Sequence, residues 1–165
     1  MSRSKALGGM AALALITVLA VTLVPAQSAG GATQRFRLCD QNKPGYSKDV
    51  DTDGDGGFSP GDMSLGADKL LDPSTGMKAG RDAGAFTVLR NFSDRDALIS
   101  ADFMFIMPNG KVMVNGVFKF SDLRSGFTVP VTGGTGHFAG MTGVVRINKH
   151  SCGGKNGNVF RFEVS

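Results

Sequence analysis

Asp102-Phe103-Met104-Phe105-Ile106-Met107-Pro108-Asn109-Gly110-Lys111-Val112-Met113-Val114-Asn115-Gly116-Val117-Phe118-Lys119-Phe120 reads as one β-hairpin. Asn-Gly is the pair that tolerates positive φ in a tight hairpin turn, and apolar runs flank it on both sides. In the returning strand Val112, Val114, Phe118 and Phe120 share one face, while Lys111, Asn115 and Lys119 share the other. Alternation of this kind means one face buried and one wet.

The same signals recur outward from the hairpin. Arg35–Cys39, Ala85–Phe92, Phe127–Thr132, Val144–Asn148 and Val159–Val164 are short apolar or alternating runs. Met63–Leu71 is read as a strand from its context. The chain has 24 glycines, and no long amphipathic helical pattern follows its N-terminal segment. Seven or eight strands joined by short Gly-rich turns predict a sandwich or an up-and-down barrel.

The two cysteines choose between these. Cys39 lies near the start of the predicted strands and Cys152 near their end. A bridge needs their Cα atoms within about 6 Å, which makes the first and last strands neighbours. The expected fold is therefore all-β: a small closed antiparallel barrel of about eight strands, its first and last strands linked by a disulfide.

Pairing of the cysteines presumes an oxidising compartment, and the N-terminus supplies one. Arg3 and Lys5 precede an apolar run from Met10 to Val24, and small residues follow in Val24-Pro25-Ala26-Gln27-Ser28-Ala29. This is the pattern of a secretory signal peptide, cleaved after Ala26 or alternatively Ala29. The run is short for a membrane span and is interrupted by Thr17 and Thr22. The expectation is a signal peptide over 1–29 and one secreted domain over 30–165, with no membrane contact after cleavage. The signal holds two of the 18 Lys and Arg and none of the 14 acids, so sixteen basic residues face fourteen acidic ones, a net +2. No basic cluster interleaves with aromatics, which argues against nucleic acid as a partner.

Asp51-Thr52-Asp53-Gly54-Asp55-Gly56-Gly57-Phe58-Ser59-Pro60-Gly61-Asp62 follows the EF-hand calcium loop. Asp51, Asp53, Asp55 and Asp62 are its candidate metal ligands. Asp is short for the last, bidentate position, Pro60 stiffens the exit, and no helix flanks the loop. A solvated acidic turn is the alternative, so the cofactor expectation is none, with calcium the one candidate.

Val131-Thr132-Gly133-Gly134-Thr135-Gly136-His137-Phe138-Ala139-Gly140 contains a loose dinucleotide fingerprint, but no helix follows it. It is read as a Gly-dense connection between strands. His137 and His150 are the only histidines and Glu163 is the only glutamate, so acid–base work would fall to Asp. Pairing Cys152 leaves no Cys–His nucleophile, and two histidines make no zinc site. Asn91-Phe92-Ser93 is a glycosylation sequon at the end of a predicted strand.

From Phe58 to Asn148 the chain resembles the allene oxide cyclase barrel-like proteins, in a bacterial secreted form, and more distantly the plant dirigent proteins. The resemblance rests on strings in order: Gly61-Asp62, Asp68-Lys69-Leu70-Leu71, Gly80-Arg81-Asp82-Ala83-Gly84, Met113-Val114-Asn115-Gly116, and above all Val131 to Gly143. It implies an eight-stranded antiparallel barrel with an apolar lumen. It also gives Asp62 a rival role, as a structural residue opening a strand.

The plant cyclases' pocket cysteine is Phe86 here, and the asparagine of their Thr-Asn-Lys-Leu segment is Asp68. Arg35 and Arg37 lie where their pocket glutamate would be sought. The cyclase reaction itself is therefore not expected. The expected function is binding of a small apolar molecule in the barrel, with cyclisation or coupling of that molecule as the chemistry if there is any. Asp68 is the candidate catalytic or anchoring group, and Phe86, Val114, Phe118, Phe120, Phe127 and Phe162 are the expected pocket lining. The alternative is a non-catalytic secreted binding module stabilised by calcium. Relatives form trimers, so self-association is a further expectation of the resemblance.

Overall fold

The computed structural model describes residues 32–41, 46–91, 96–152 and 155–165. The expected signal peptide, and Phe92 and Ser93 of the sequon, lie outside them. The strands are β1 Gln34–Asp40, β2 Ser47–Val50, β3 Met63–Gly66, β4 Lys69–Leu71, β5 Lys78–Arg90, β6 Leu98–Met107, β7 Gly110–Lys119, β8 Phe127–Gly136, β9 Gly143–Cys152 and β10 Lys155–Val164. One short helix, α1 Asp122–Ser125, joins β7 to β8.

Antiparallel pairing runs from β5 through β6, β7, β8, β9, β10, β1 and β4 back to β5. That ring of eight is a closed barrel, and closure removes the exposed sheet edges that an open sheet would leave. The Asn109-Gly110 hairpin forms in register, with Met107 opposite Gly110.

Two stretches depart from the sequence reading. The single strand expected over Met63–Leu71 is broken into β3 and β4, which lie end to end along one edge of β5. At the break the Asp68 N–H donates to Asp82 Oδ1 at 2.8 Å, and Asp82 N donates to the Asp68 carbonyl at 3.0 Å. A side chain has taken the place of one backbone rung. The Gly-dense stretch after Thr132 is strand, not connection, as far as Gly136, and pairs with β7. Glycine is needed there because a Cβ at Gly134 would lie 2.1 Å from the Phe138 carbonyl oxygen. The bare backbone lets Phe138 fold back over the barrel end, beside Phe36 at 6.0 Å between ring centroids.

Phe36 stacks on Phe162 at 4.4 Å, and Phe105 meets Phe160 and Phe162 edge-on at 4.9 and 5.0 Å. Val112, Val114, Val129 and Val145 complete this packed half of the lumen. The Cys39–Cys152 disulfide joins β1 to the end of β9, with 5.9 Å between Cα atoms. β1 also pairs directly with the last strand, β10. The bridge therefore spans β10 to reach the final hairpin, and packs with Val159 and Leu71 in a small cluster apart from the main core.

Candidate functional site

The other half of the lumen is polar on one wall. Inward-facing positions on β1 are Phe36, Leu38 and Asp40; on β5 they are Asp82, Gly84, Phe86 and Val88. The ladder brings β1, β4 and β5 side by side, so Asp40, Asp68 and Asp82 line one cavity of about 300 Å³. Asn158 of β10 closes this wall, and Phe86, Phe103, Phe127 and Phe160 form the apolar one. Gly84 makes room for the aromatic wall, because a Cβ there would lie 2.2 Å from the Phe103 ring.

Asp40 and Asp82 are only 4 % and 5 % exposed. Asp40 accepts from Asn158 N at 2.6 Å and from Asn158 Nδ2 at 2.9 Å. Burial still raises its carboxyl above the ordinary range, against those two bonds, and the charge of Asp68 adds to the rise. Burial raises Asp82 much further, from 3.8 to about 7, against the pull of the Asp68 N–H and helped by repulsion from Asp40 and Asp68. A carboxyl that is half ionised near neutral pH can both give and take a proton.

A second cavity of about 480 Å³ adjoins the first, with Ser64, Phe86 and Leu123 lining both. The acidic loop covers its outer side, and Phe58 from that loop packs on Phe120 at 5.0 Å. Asn91 ties the loop to the barrel by donating from Nδ2 to the Phe58 carbonyl at 2.5 Å.

The residues expected at the site divide by position. Asp68 and Phe127 line the first cavity, Phe120 the second, and Phe86 both. Val114, Phe118 and Phe162 are packed in the core, with Phe118 stacked on Phe127 at 3.8 Å. Sequence reasoning missed Asp40, Asp82, Asn158, Phe103 and Phe160 as lining. A signal for the first two was present: each is a lone acid on the inward parity of an apolar strand, Asp40 two residues after Leu38 and Asp82 four before Phe86.

In the acidic loop, oxygens of Asp51, Asp53 and Asp55 lie within 4.8 Å of one another. Gly54 and Gly56 take φ of 75° and 72°, which makes the tight wrap. Asp62 does not join them. It accepts from Thr52 N and Thr52 Oγ1 at 2.8 and 2.9 Å and from Ser59 N at 2.8 Å. Those bonds hold its carboxyl below the usual range, and they are the bonds of a structural residue at the start of β3.

No family model matches the chain, and no curated relative matches it in sequence. Solved structures do match in fold. A pyocyanin demethylase aligns with TM-score 0.66 at 20% identity, over 80% of this chain and 100% of its own. A Diels–Alderase from Streptomyces koyangensis aligns with TM-score 0.65 at 15% identity, over 81% of this chain and 63% of its own. A pterocarpan synthase dirigent protein aligns with TM-score 0.57 at 16% identity, over 81% of this chain and 82% of its own. The chain thus shares its barrel with cyclase and dirigent proteins.

Proposed function

We propose that this is an exported barrel that binds a small, largely apolar molecule in its lumen and steers that molecule's cyclisation or coupling. The observation that carries the reading is the cavity of about 300 Å³ between four phenyl side chains and a wall of buried carboxyls. Its size is at the small end of ligand sites. A packed barrel of this width has no need of such a space, since side chains alone can fill eight strands. The cycloaddition chemistry of the Diels–Alderase neighbours supports cyclisation, and the disulfide supports an oxidising compartment. The aromatic wall would hold a reactive conformer and exclude water. Asp82 would move the proton, and Asp68 beside it would anchor a polar group.

Titration with N-phenyl-1-naphthylamine, a neutral dye that brightens in apolar surroundings, tests the cavity. Saturable brightening is expected, and Ser64→Phe, which puts a ring between the two cavities, should abolish it. A dye that does not brighten, or brightens equally with the folded variant, would remove the reading.

A second reading is favoured by the grouping of Asp51, Asp53 and Asp55. These carboxylates are hard oxygen donors of the kind calcium takes, and a cation there would stiffen the loop that covers the second cavity.

A further inference from the structure

The carboxyls of the cavity wall are unusual in what faces them. Asp82 and Asp40 are nearly fully buried, yet their hydrogen-bond donors are uncharged: the Asp68 N–H for the first and Asn158 for the second. Asp82 Oδ2 accepts no hydrogen bond from another of the described residues, although its side chain lines the cavity. Lys149 of β9 also lines the cavity, but its side chain is exposed. Among the described residues the one salt bridge is Arg35–Glu163, on the barrel's outside, and within that set neither Asp40 nor Asp82 is paired with a cation. Burying carboxylates without a cation is expensive. The apolar wall is made of the rings of Phe86, Phe103, Phe127 and Phe160, and the face of such a ring attracts positive charge.

We infer that the cavity is built for a planar aromatic ligand bearing a positively charged nitrogen, with its ring among the phenyl side chains and its nitrogen against Asp82 and Asp40. This deepens the function proposed above and rests on it. Such a ligand supplies the positive charge that Asp40 and Asp82 do not receive from the described residues. Its charge offsets two carboxylates that otherwise repel, and an N–H on it donates to Asp82 Oδ2 in a charge-assisted bond. Lys149 at the rim keeps the site from being a general sink for cations, and the apolar wall asks for a flat ring.

Among the described residues the groups facing Asp82 are Asp40 from β1, Asp68 from the β3–β4 break and Lys149 from β9, beside the uncharged Asn158 of β10. Bound positive charge should favour ionised Asp82, so affinity for a cation should fall as pH is lowered through about 7.

Three probes of one shape and different charge decide the matter: N-methylquinolinium, 1-methylnaphthalene and 1-naphthoate, each measured by calorimetry and by displacement of the neutral dye. With the disulfide-intact protein at about pH 8, the cation should bind at least tenfold more tightly than the neutral ring, and the anion most weakly. Asp82→Asn keeps the acceptor for the Asp68 N–H. It should weaken the cation by about tenfold or more, a loss severalfold larger than any change for the neutral ring. In the unaltered protein, cation binding should weaken toward about pH 5 while neutral binding stays flat. Neutral binding without a preference for the cation, or equal losses for both probes in the variant, overturns the inference and leaves the cavity reading standing. If none of the three binds and the dye does not brighten, both fall.

Discussion

Asp82 makes the fold itself sensitive to pH, and the size of the effect can be worked out. Its carboxyl titrates at about 7 in the folded chain and at the ordinary 3.8 when exposed. The folded state therefore holds the proton more tightly. The stability that Asp82 contributes is fully present below pH 3.8 and is lost as pH rises to about 7. Each tenfold gain in proton affinity is worth about 1.4 kcal/mol, so a gain of roughly a thousandfold amounts to about 4 kcal/mol. That is a large part of the roughly 5–15 kcal/mol that holds a typical domain. Asp82→Asn removes this titration and retains the acceptor for the Asp68 N–H. Urea unfolding of both proteins, disulfide intact, at about pH 4, 6 and 8 reads the effect directly. The variant should match the wild type near pH 4 and exceed it by about 3–4 kcal/mol at pH 8. Comparing the two proteins cancels Asp62 and Asp72, whose hydrogen bonds hold their carboxyls low and which act in the opposite sense at acid pH. A gap between variant and wild type that does not change with pH would refute the reasoning.

Two further outcomes are expected. Replacing both Cys39 and Cys152 by Ser opens a loop with a sequence separation of 113, which in the chain-entropy model is worth about 5 kcal/mol; a urea midpoint unchanged by the substitution would show that β1–β10 pairing alone closes the barrel. If calcium fills the Asp51, Asp53 and Asp55 group, millimolar calcium should raise the melting temperature above that in chelator, and Asp53→Asn should remove the rise. An identical midpoint with calcium and with chelator would leave the loop an acidic turn held by its own backbone N–H donors.

The barrel was legible because its determinants are local and repeated. Alternation in Lys111–Phe120 needs only the chain itself, and the Asn109-Gly110 turn sets the register for the strands on both sides. The cysteines then constrained the ends. What could not be read were positions decided by neighbours from other strands. Met63–Leu71 has the pattern of one strand, but Asp68 spends its N–H on a carboxyl that lies 14 residues away in sequence. Val114, Phe118 and Phe120 alternate in the same way, yet only Phe120 reaches a cavity, because the rings of Phe127 and Phe86 lie over Phe118. Asp40 and Asp82 share no motif. They come to one cavity because β4 begins only at Lys69: Leu70 stands between Asp40 and Gly80, while Asp82 lies beyond it, against the Asp68 break.

That meeting also bears on what the wall is for. If Asp82 served only to cap the Asp68 N–H, a neutral amide would do so without the like-charge repulsion from Asp40. Asp40 differs, because both its oxygens are used to seat Asn158: Oδ1 accepts from the backbone N–H and Oδ2 from Nδ2. At Asp82 an ionisable oxygen goes beyond what the fold requires, and at neutral pH the ionised form destabilises the fold. Elsewhere the chain removes polar groups from the lumen, as in the all-apolar layer around Phe105, Val112 and Val145. A buried, ionisable Asp82 beside an aromatic cavity is what the proposed ligand would account for and the folding of the barrel would not.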